Sequence, residues 1–386
     1  MIYSPFQFAA VPESLMEWTG SLRLGEILAA RFRPREALLI TDAGLVAAGL
    51  IDPIEKGLRM AGFRVTIFDE VVADPPENVV LSCAELARTI GAGIVIGVGG
   101  GSSLDIAKLV AVLVASGQDL GELYGLDKVK GERLPLVLVP TTAGTGSEMT
   151  NISIVTTGET TKSGVVARQL YADFVLLDAA LTVGLPRSHT AATGIDAMVH
   201  AIEAYTSAHK KNPVSDALAR EALRLLSQNL LTACADGANR AARERMLLGA
   251  ALAGQAFTNA PVAAVHALAY PLGGRHHVPH GLSNALMLGP VLRFNALAAG
   301  TLYAELGDLL DPRPGAPIAE RAEAFIARID DLVRQSGAPQ RLRDVGIVQS
   351  DLPILAADAM LQTRLLMNNP AAVTEADALM LYQQTF

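Results

Sequence analysis

Gly97-Val98-Gly99-Gly100-Gly101-Ser102-Ser103-Leu104-Asp105-Ile106-Ala107-Lys108 decides the architecture of this chain. An apolar strand pattern, Gly93–Val98, runs into three successive glycines, and a helical pattern opens directly after them. With no Cβ at Gly99, Gly100 or Gly101, backbone N–H groups can close around a phosphate at the positive end of the helix. The plainer reading is a tight turn before a capped helix, since Ser102 and Asp105 have nearly the spacing of a capping box. The glycine spacing matches neither the usual dinucleotide fingerprint nor a P-loop. Both readings require a strand, a turn and a helix in that order.

The same order repeats outward from this turn. Ala37–Thr41, Arg64–Phe68, Leu134–Pro140 and Phe174–Asp178 are further short runs rich in Val, Ile and Leu with little polar alternation. Such strands belong in a parallel sheet covered on both faces. Amphipathic stretches lie between them: Leu45–Met60, Glu77–Ile90 and Leu104–Ala115. This alternation predicts a doubly wound, mostly parallel α/β domain. After about Pro186 strand patterns nearly vanish. Ser188–Thr206, Pro213–Asn229, Ala241–Phe257, Leu282–Asn295 and Ile318–Gln335 read as long helices rich in Ala and Leu. The expected division is an α/β nucleotide-binding domain over residues 1–187 and an all-helical domain over 188–386.

Composition narrows the class of function. Lys and Arg number 31 and Asp and Glu 39, a net charge of −8 without a basic cluster, so no nucleic-acid partner is expected. No uncharged apolar run reaches the ~20 residues of a bilayer span, and Met1–Gln7 lacks the pattern of a secretion signal. A cytoplasmic protein with no membrane association is the expectation. Cys83 and Cys234 are far apart and form no metal or redox motif, so two buried thiols are expected.

A second polar turn follows another strand: Pro140-Thr141-Thr142-Ala143-Gly144-Thr145-Gly146-Ser147-Glu148. Hydroxyls and glycines at the carboxyl end of a strand can cradle phosphate and ribose, since ligands sit there in open α/β sheets. A solvated Ser/Thr loop is the alternative. Asp42 closes the strand Ala37–Thr41. It either binds the adenosine ribose hydroxyls, favouring NAD over NADP, or caps the helix that follows.

The helical half carries a candidate metal constellation. In Asp196-Ala197-Met198-Val199-His200 the two polar residues stand four apart, on one helical face. His266, Tyr270, His277 and His280 follow in the next hundred residues, among the apolar runs Val262–Ala269 and Leu282–Leu288. Asp196, His200, His266 and His280 offer four N/O donors, a set suited to Fe(II) or Zn(II). The competing reading is a surface Asp–His pair, core aromatics and a solvated histidine loop. Burying such side chains in apolar surroundings is costly without partners, which brings the metal reading level with its rival.

Together these blocks resemble the iron-containing (group III) alcohol dehydrogenase family. The resemblance is carried by Gly99-Gly100-Gly101-Ser102 with Asp105 and Lys108, then by Pro140 through Glu148. It continues with Gly194-Ile195-Asp196-Ala197-Met198-Val199-His200-Ala201-Ile202-Glu203-Ala204-Tyr205, with His266 through Gly274, and with Pro279-His280-Gly281. It implies a dehydroquinate-synthase-like architecture, NAD as cofactor, and metal held by Asp196, His200, His266 and His280. It assigns Gly100, Gly101, Ser102, Asp105, Thr141, Thr142 and Thr145 to the cofactor side, with Lys162 and Asn151 near the nicotinamide. It also implies a homodimer in which an early strand near Pro5–Phe8 takes part. Many members carry histidine four residues after the third ligand. Here that residue is Tyr270, whose ordinary pKa near ~10 demands a nearby cation if it is to act as an acid.

The expected reaction interconverts a small alcohol and its aldehyde or ketone by hydride transfer to or from the nicotinamide. The ion polarises the substrate oxygen, and water, Tyr270 or His277 moves the proton. A maleylacetate-reductase-like or hydroxyacid–oxoacid transhydrogenase-like activity is the alternative, with Arg275 as receptor for a substrate carboxylate. A dehydroquinate-synthase-like lyase is a remoter rival, because the region after the second polar turn offers few cations.

Overall fold

The computed structural model describes residues 5–158 and 161–386. They form two compact units, Ala10–Gly184 and, with the N-terminal stretch to Ala9, Leu185–Phe386. The first unit is built on strands β1 (Ser14–Met16), β2 (Glu36–Ile40), β3 (Arg64–Phe68), β4 (Ile94–Gly99), β5 (Gly125–Leu126), β6 (Leu136–Pro140), β7 (Ile152–Thr157), β8 (Thr161–Val166) and β9 (Phe174–Leu177).

Six of these form one wholly parallel sheet in the order β1-β9-β6-β4-β2-β3. Its middle strands are sealed. Leu38, Leu39, Ile40, Val95, Ile96, Val98, Val137, Leu138 and Val139 have no exposed surface, as expected where helices cover both faces. The chain goes from β2 outward to β3 and then crosses back to β4 on the other side of β2. The order therefore reverses between β2 and β4. A crevice at the carboxyl ends of the strands at such a switch point is where open α/β sheets take their ligands.

Two differences from the sequence reading concern this unit. The stretch Leu45–Met60 is two helices, Ala43–Ala47 and Ile51–Met60, parted by Gly49 in the left-handed region at φ 71°. A second sheet, β5-β8-β7, is also present, with β7 and β8 antiparallel. No strand forms at Pro5–Phe8; the first described strand is β1.

The second unit is helical throughout. Its main helices are Arg187–Thr206, Pro213–Ala235, Arg240–Asn259, Ala264–His276, His280–Leu310 and Ile318–Ser336. His280–Leu310 is long and apolar enough to cross a membrane by length and composition, yet its most apolar window is half buried inside the unit. It carries the buried polar residues Ser283, Asn284 and Asn295, as an interior helix of this unit does. Both cysteines are buried and unbridged.

Candidate nucleotide turn and metal centre

The glycine turn joins β4 to helix Gly101–Ser116. Gly100 is the N-cap, in extended backbone, and no side chain bonds the cap. The capping box read at Ser102 and Asp105 does not form, so the first N–H groups of this helix have no side-chain acceptor from the cap. The second polar turn leaves β6, the direct neighbour of β4, with Thr141 N–H donating to Gly99 O at 2.9 Å. A Cβ on Gly101 would stand 2.8 Å from Thr145 Cγ2, so the two turns abut and a side chain there would push Thr145 aside. Thr142 lies against Gly100. The structure thus gathers Gly100, Gly101, Thr142 and Thr145 at one end of the sheet, with Thr141 buried behind them.

Asp105 serves to bind the two turns together. Its carboxylate accepts from Ser147 Oγ at 2.5 Å and from Ile154 N–H at 2.9 Å. Lys108, with no exposed surface, donates to Ser147 Oγ at 2.7 Å, Thr150 Oγ1 at 3.1 Å and Ile152 O at 2.7 Å, and reaches Asp105 at 3.4 Å. Burial pulls its ammonium pKa down, against the support of Asp105 and Glu148. Glu148 beside it is buried, and burial pushes its carboxyl up to about 7 despite its backbone bond and Lys108.

Asp42 sits at the end of β2, across the switch point from the glycine turn. Its Oδ1 accepts from Leu45 N–H at 3.1 Å and caps Ala43–Ala47. Lys162 lies on β8 opposite Thr156 and donates to Asp74 Oδ1 at 2.5 Å. Asn151 immediately precedes β7, and its carbonyl accepts from Ala167 N–H at 3.1 Å. These two residues belong to the smaller sheet and its approach.

In the helical unit four donors converge. Asp196 and His200 lie on helix Arg187–Thr206, His266 on Ala264–His276, and His280 opens His280–Leu310. Asp196 Oδ1 is 4.0 Å from His200 Nε2, 3.9 Å from His266 Nε2 and 3.5 Å from His280 Nε2. The two buried nitrogens His200 Nε2 and His266 Nε2 are 3.0 Å apart. Tetrahedral donors at ~2.0–2.2 Å from one ion stand about 3.3–3.6 Å apart, so this spread fits a single first-row ion. Asp196, His200 and His266 form the tight trio. His280 stands nearer solvent, its side chain 30% exposed against 6% for His200.

The protonation pattern agrees with a cation site. His266 Nδ1 lies 2.7 Å from the Glu203 carboxylate, an acceptor, so the proton sits on Nδ1 and the Nε2 lone pair faces the other donors. Asn284, one turn beyond His280, points its amide nitrogen into the same space, 2.6 Å from Asp196 Oδ1 and 3.3 Å from both His266 Nε2 and His280 Nε2. Its Oδ1 is left buried without a hydrogen-bond partner. That orientation makes sense where the facing atoms are lone pairs that demand positive charge. Burial opposes the charge on Asp196, but the positive charge of the three imidazoles when protonated, with the Asn284 amide, outweighs it and holds its carboxyl below the ordinary range.

Tyr270 is half-buried beside this centre, its ring 5.9 Å from that of His280. His277 ends its helix in left-handed backbone, φ 54°, with an exposed side chain. Arg275 is ion-paired with Asp358. The charge that a substrate carboxylate would need is already matched.

Residues 12–179 match the family described as iron-containing alcohol dehydrogenase, and residues 190–386 match the C-terminal region of the Fe-containing alcohol dehydrogenase family. The chain belongs to the iron-containing alcohol dehydrogenase family. Within this family it is 42% identical over 360 residues to long-chain-alcohol dehydrogenase 1 of Geobacillus thermodenitrificans, covering 92% of this chain and 91% of that one. Among solved structures, a 1,3-propanediol oxidoreductase superposes with a TM-score of 0.95 at 36% identity, over 99% of this chain and all of the other. Sulfoacetaldehyde reductase from Bifidobacterium kashiwanohense, solved in complex with NAD+, superposes with a TM-score of 0.89 at 26% identity, over 99% of each chain. This iron-containing alcohol dehydrogenase is an oxidoreductase of the alcohol–carbonyl type, and the carboxylate-directed alternative is not favoured.

Glu203 and Asn284 are the polar residues of this centre to which the sequence reading gave no role. Glu203 was detectable, because it follows Asp196 by seven and His200 by three on the same helical face. Asn284 likewise follows His280 by four.

Proposed function

We propose that this chain interconverts a small alcohol and its aldehyde or ketone, with NAD(H) as hydride carrier and a divalent ion held by Asp196, His200, His266 and His280. The convergence of these four donors, three of them buried, carries the reading. Fe(II) is the expected ion and Zn(II) the substitute, since an N/O set of this kind takes either. The bound ion supplies a Lewis acid for the substrate oxygen.

The chain's own residues do the rest. Gly100, Gly101, Ser102, Thr141, Thr142 and Thr145 hold the cofactor phosphates and ribose through open amides and hydroxyls. Asp105 and Lys108 fix the two turns to each other, so the cradle is formed before the cofactor arrives. Asp42 offers its carboxylate to the adenosine ribose and repels a 2′-phosphate. Lys162 and Asn151 border the nicotinamide side. Hydride transfer needs the nicotinamide and the substrate carbon in near-attack geometry. Tyr270, adjoining the solvent-facing ligand His280, moves the proton between the substrate oxygen and water. His277, exposed at the helix end, is the second proton carrier.

The test is NADH oxidation by chelator-stripped protein, before and after anoxic addition of Fe(II) or Zn(II), over a panel of aldehydes, ketones and oxo acids. Metal-restored turnover with simple carbonyls is the expected result. A preference for oxo acids, or no turnover despite stoichiometric metal, would overturn it.

A further inference from the structure

Helix Arg187–Thr206 carries three buried polar side chains on one face, Asp196, His200 and Glu203. Glu203 is 4% exposed and spends both oxygens on one distant segment. Its Oε2 accepts from Ala263 N–H at 2.9 Å and from His266 Nδ1 at 2.7 Å, while Oε1 accepts from Val265 N–H at 2.7 Å. Ala263 and Val265 stand at the start of helix Ala264–His276, which has no side-chain cap of its own. A carboxylate from one helix therefore satisfies the open amides of another, and with the same group it holds the imidazole within that first turn.

We infer that Glu203 is the positioning residue of the metal centre: it sets the tautomer and aim of His266, and through them the tightness of metal binding. The inference rests on the reading that Asp196, His200, His266 and His280 hold the ion. A cap alone needs only the two backbone bonds. The third bond, to Nδ1, is the one that acts on the ligand. It fixes the Nε2 lone pair toward the other donors and raises the basicity of the ring, and loss of such a partner typically weakens metal binding by 10–100-fold. Because Glu203 shares a helix with Asp196 and His200, one rigid element places two donors and orients a third.

Cobalt(II) tests this without turnover. Full-length, metal-free protein is titrated with Co(II), its affinity is measured by chelator competition, and its ligand-field absorption is recorded. The parent is expected to bind stoichiometrically. Glu203→Gln is expected to bind about 10–100-fold more weakly with an altered absorption band, since one amide oxygen cannot serve Val265 on one side and Ala263 with His266 on the other. Tyr382→Phe is the structural control. It removes the 2.6 Å bond from the tyrosine hydroxyl to Leu268 O in the same helix and touches no ligand, so affinity and spectrum are expected to stay with the parent. If Glu203→Gln does not fold, Glu203→Asp replaces it, with a smaller loss of the same sign. A folded Glu203 variant with the parent's affinity and spectrum overturns the inference. So does an equal loss in Tyr382→Phe, which would make the effect one of helix stability. A parent that takes up no Co(II) overturns the underlying metal reading itself.

Discussion

Gly281 and Ala192 meet backbone to backbone: a Cβ on Gly281 would stand 2.3 Å from the Ala192 carbonyl oxygen. This approach brings the start of helix His280–Leu310 against helix Arg187–Thr206 and sets His280 within 3.5 Å of Asp196. Neither backbone can yield as a flexible side chain would. Gly281→Ala is therefore expected to part the two helices, to destabilise the helical unit by about 1–3 kcal/mol, and to lower metal affinity. Chelator competition on the purified variant checks this. Parent-like affinity would show that the helices can separate without moving His280.

Glu148 gives a pH dependence whose sign follows from its burial. Its carboxyl is raised from 4.5 to about 7 in the folded chain. Between those values the folded state keeps a proton that the unfolded chain has lost, so stability falls as pH rises. The penalty is absent below the unfolded value and complete above about 7, on the order of 3 kcal/mol. Glu148→Gln keeps the shape and removes the charge. The variant is expected to lose most of the decline over this window and to be more stable than the parent above it. Urea midpoints across the window decide the matter, and an unchanged slope would assign the titration to another group.

The sheet was legible because its strands are buried on both faces. Val95, Ile96, Val137 and Leu138 leave no polar alternation to confuse strand with surface. The β7–β8 hairpin was not legible for the opposite reason. Its strands mix Ser, Thr and Lys with Ile and Val and are only partly buried, so no apolar run marks them. The four donors were visible as residue types among apolar neighbours, and the structure brings those four together. What one helix does for another was hidden, because Glu203 acts on amides some sixty residues away and only the packing joins them. Asp105 also accepts from Ser147 and Ile154, a structural tie that spacing along the chain does not reveal.

Asp42 caps a helix in the structure and contacts the ribose in the proposed function, and one substitution separates the two. Its Oδ1 caps a short helix, and its position across the switch point from Gly100 suits a ribose contact. Asp42→Gly removes both. Loss of the cap to glycine costs only a few tenths of a kcal/mol, whereas loss of the charge removes repulsion of a 2′-phosphate. The ratio of kcat/KM for NADPH over NADH is expected to rise by about tenfold, or ~1.4 kcal/mol. If steady-state kinetics return the parent ratio, Asp42 is a helix cap and nothing more.

Tyr270 stands where many family members carry histidine, and its ring lies 5.9 Å from that of His280, the proposed ligand nearest solvent. A phenol ionises too weakly to work as an acid near neutral pH unless a cation favours its anion. A divalent ion on His280 would provide that field, and removing the ion would withdraw it. Tyr270→Phe keeps the ring and its packing and deletes only the hydroxyl. The expected loss in kcat is about ten- to a hundredfold, toward the low end for general acid–base groups because water can substitute. Metal affinity is expected to stay at the parent value, which separates proton transfer from damage to the centre. The deciding measurement is the pH profile of kcat. Loss of its alkaline limb in the variant assigns the limb to Tyr270, whereas an unchanged profile removes the residue from the proton path and leaves His277 or water to carry it.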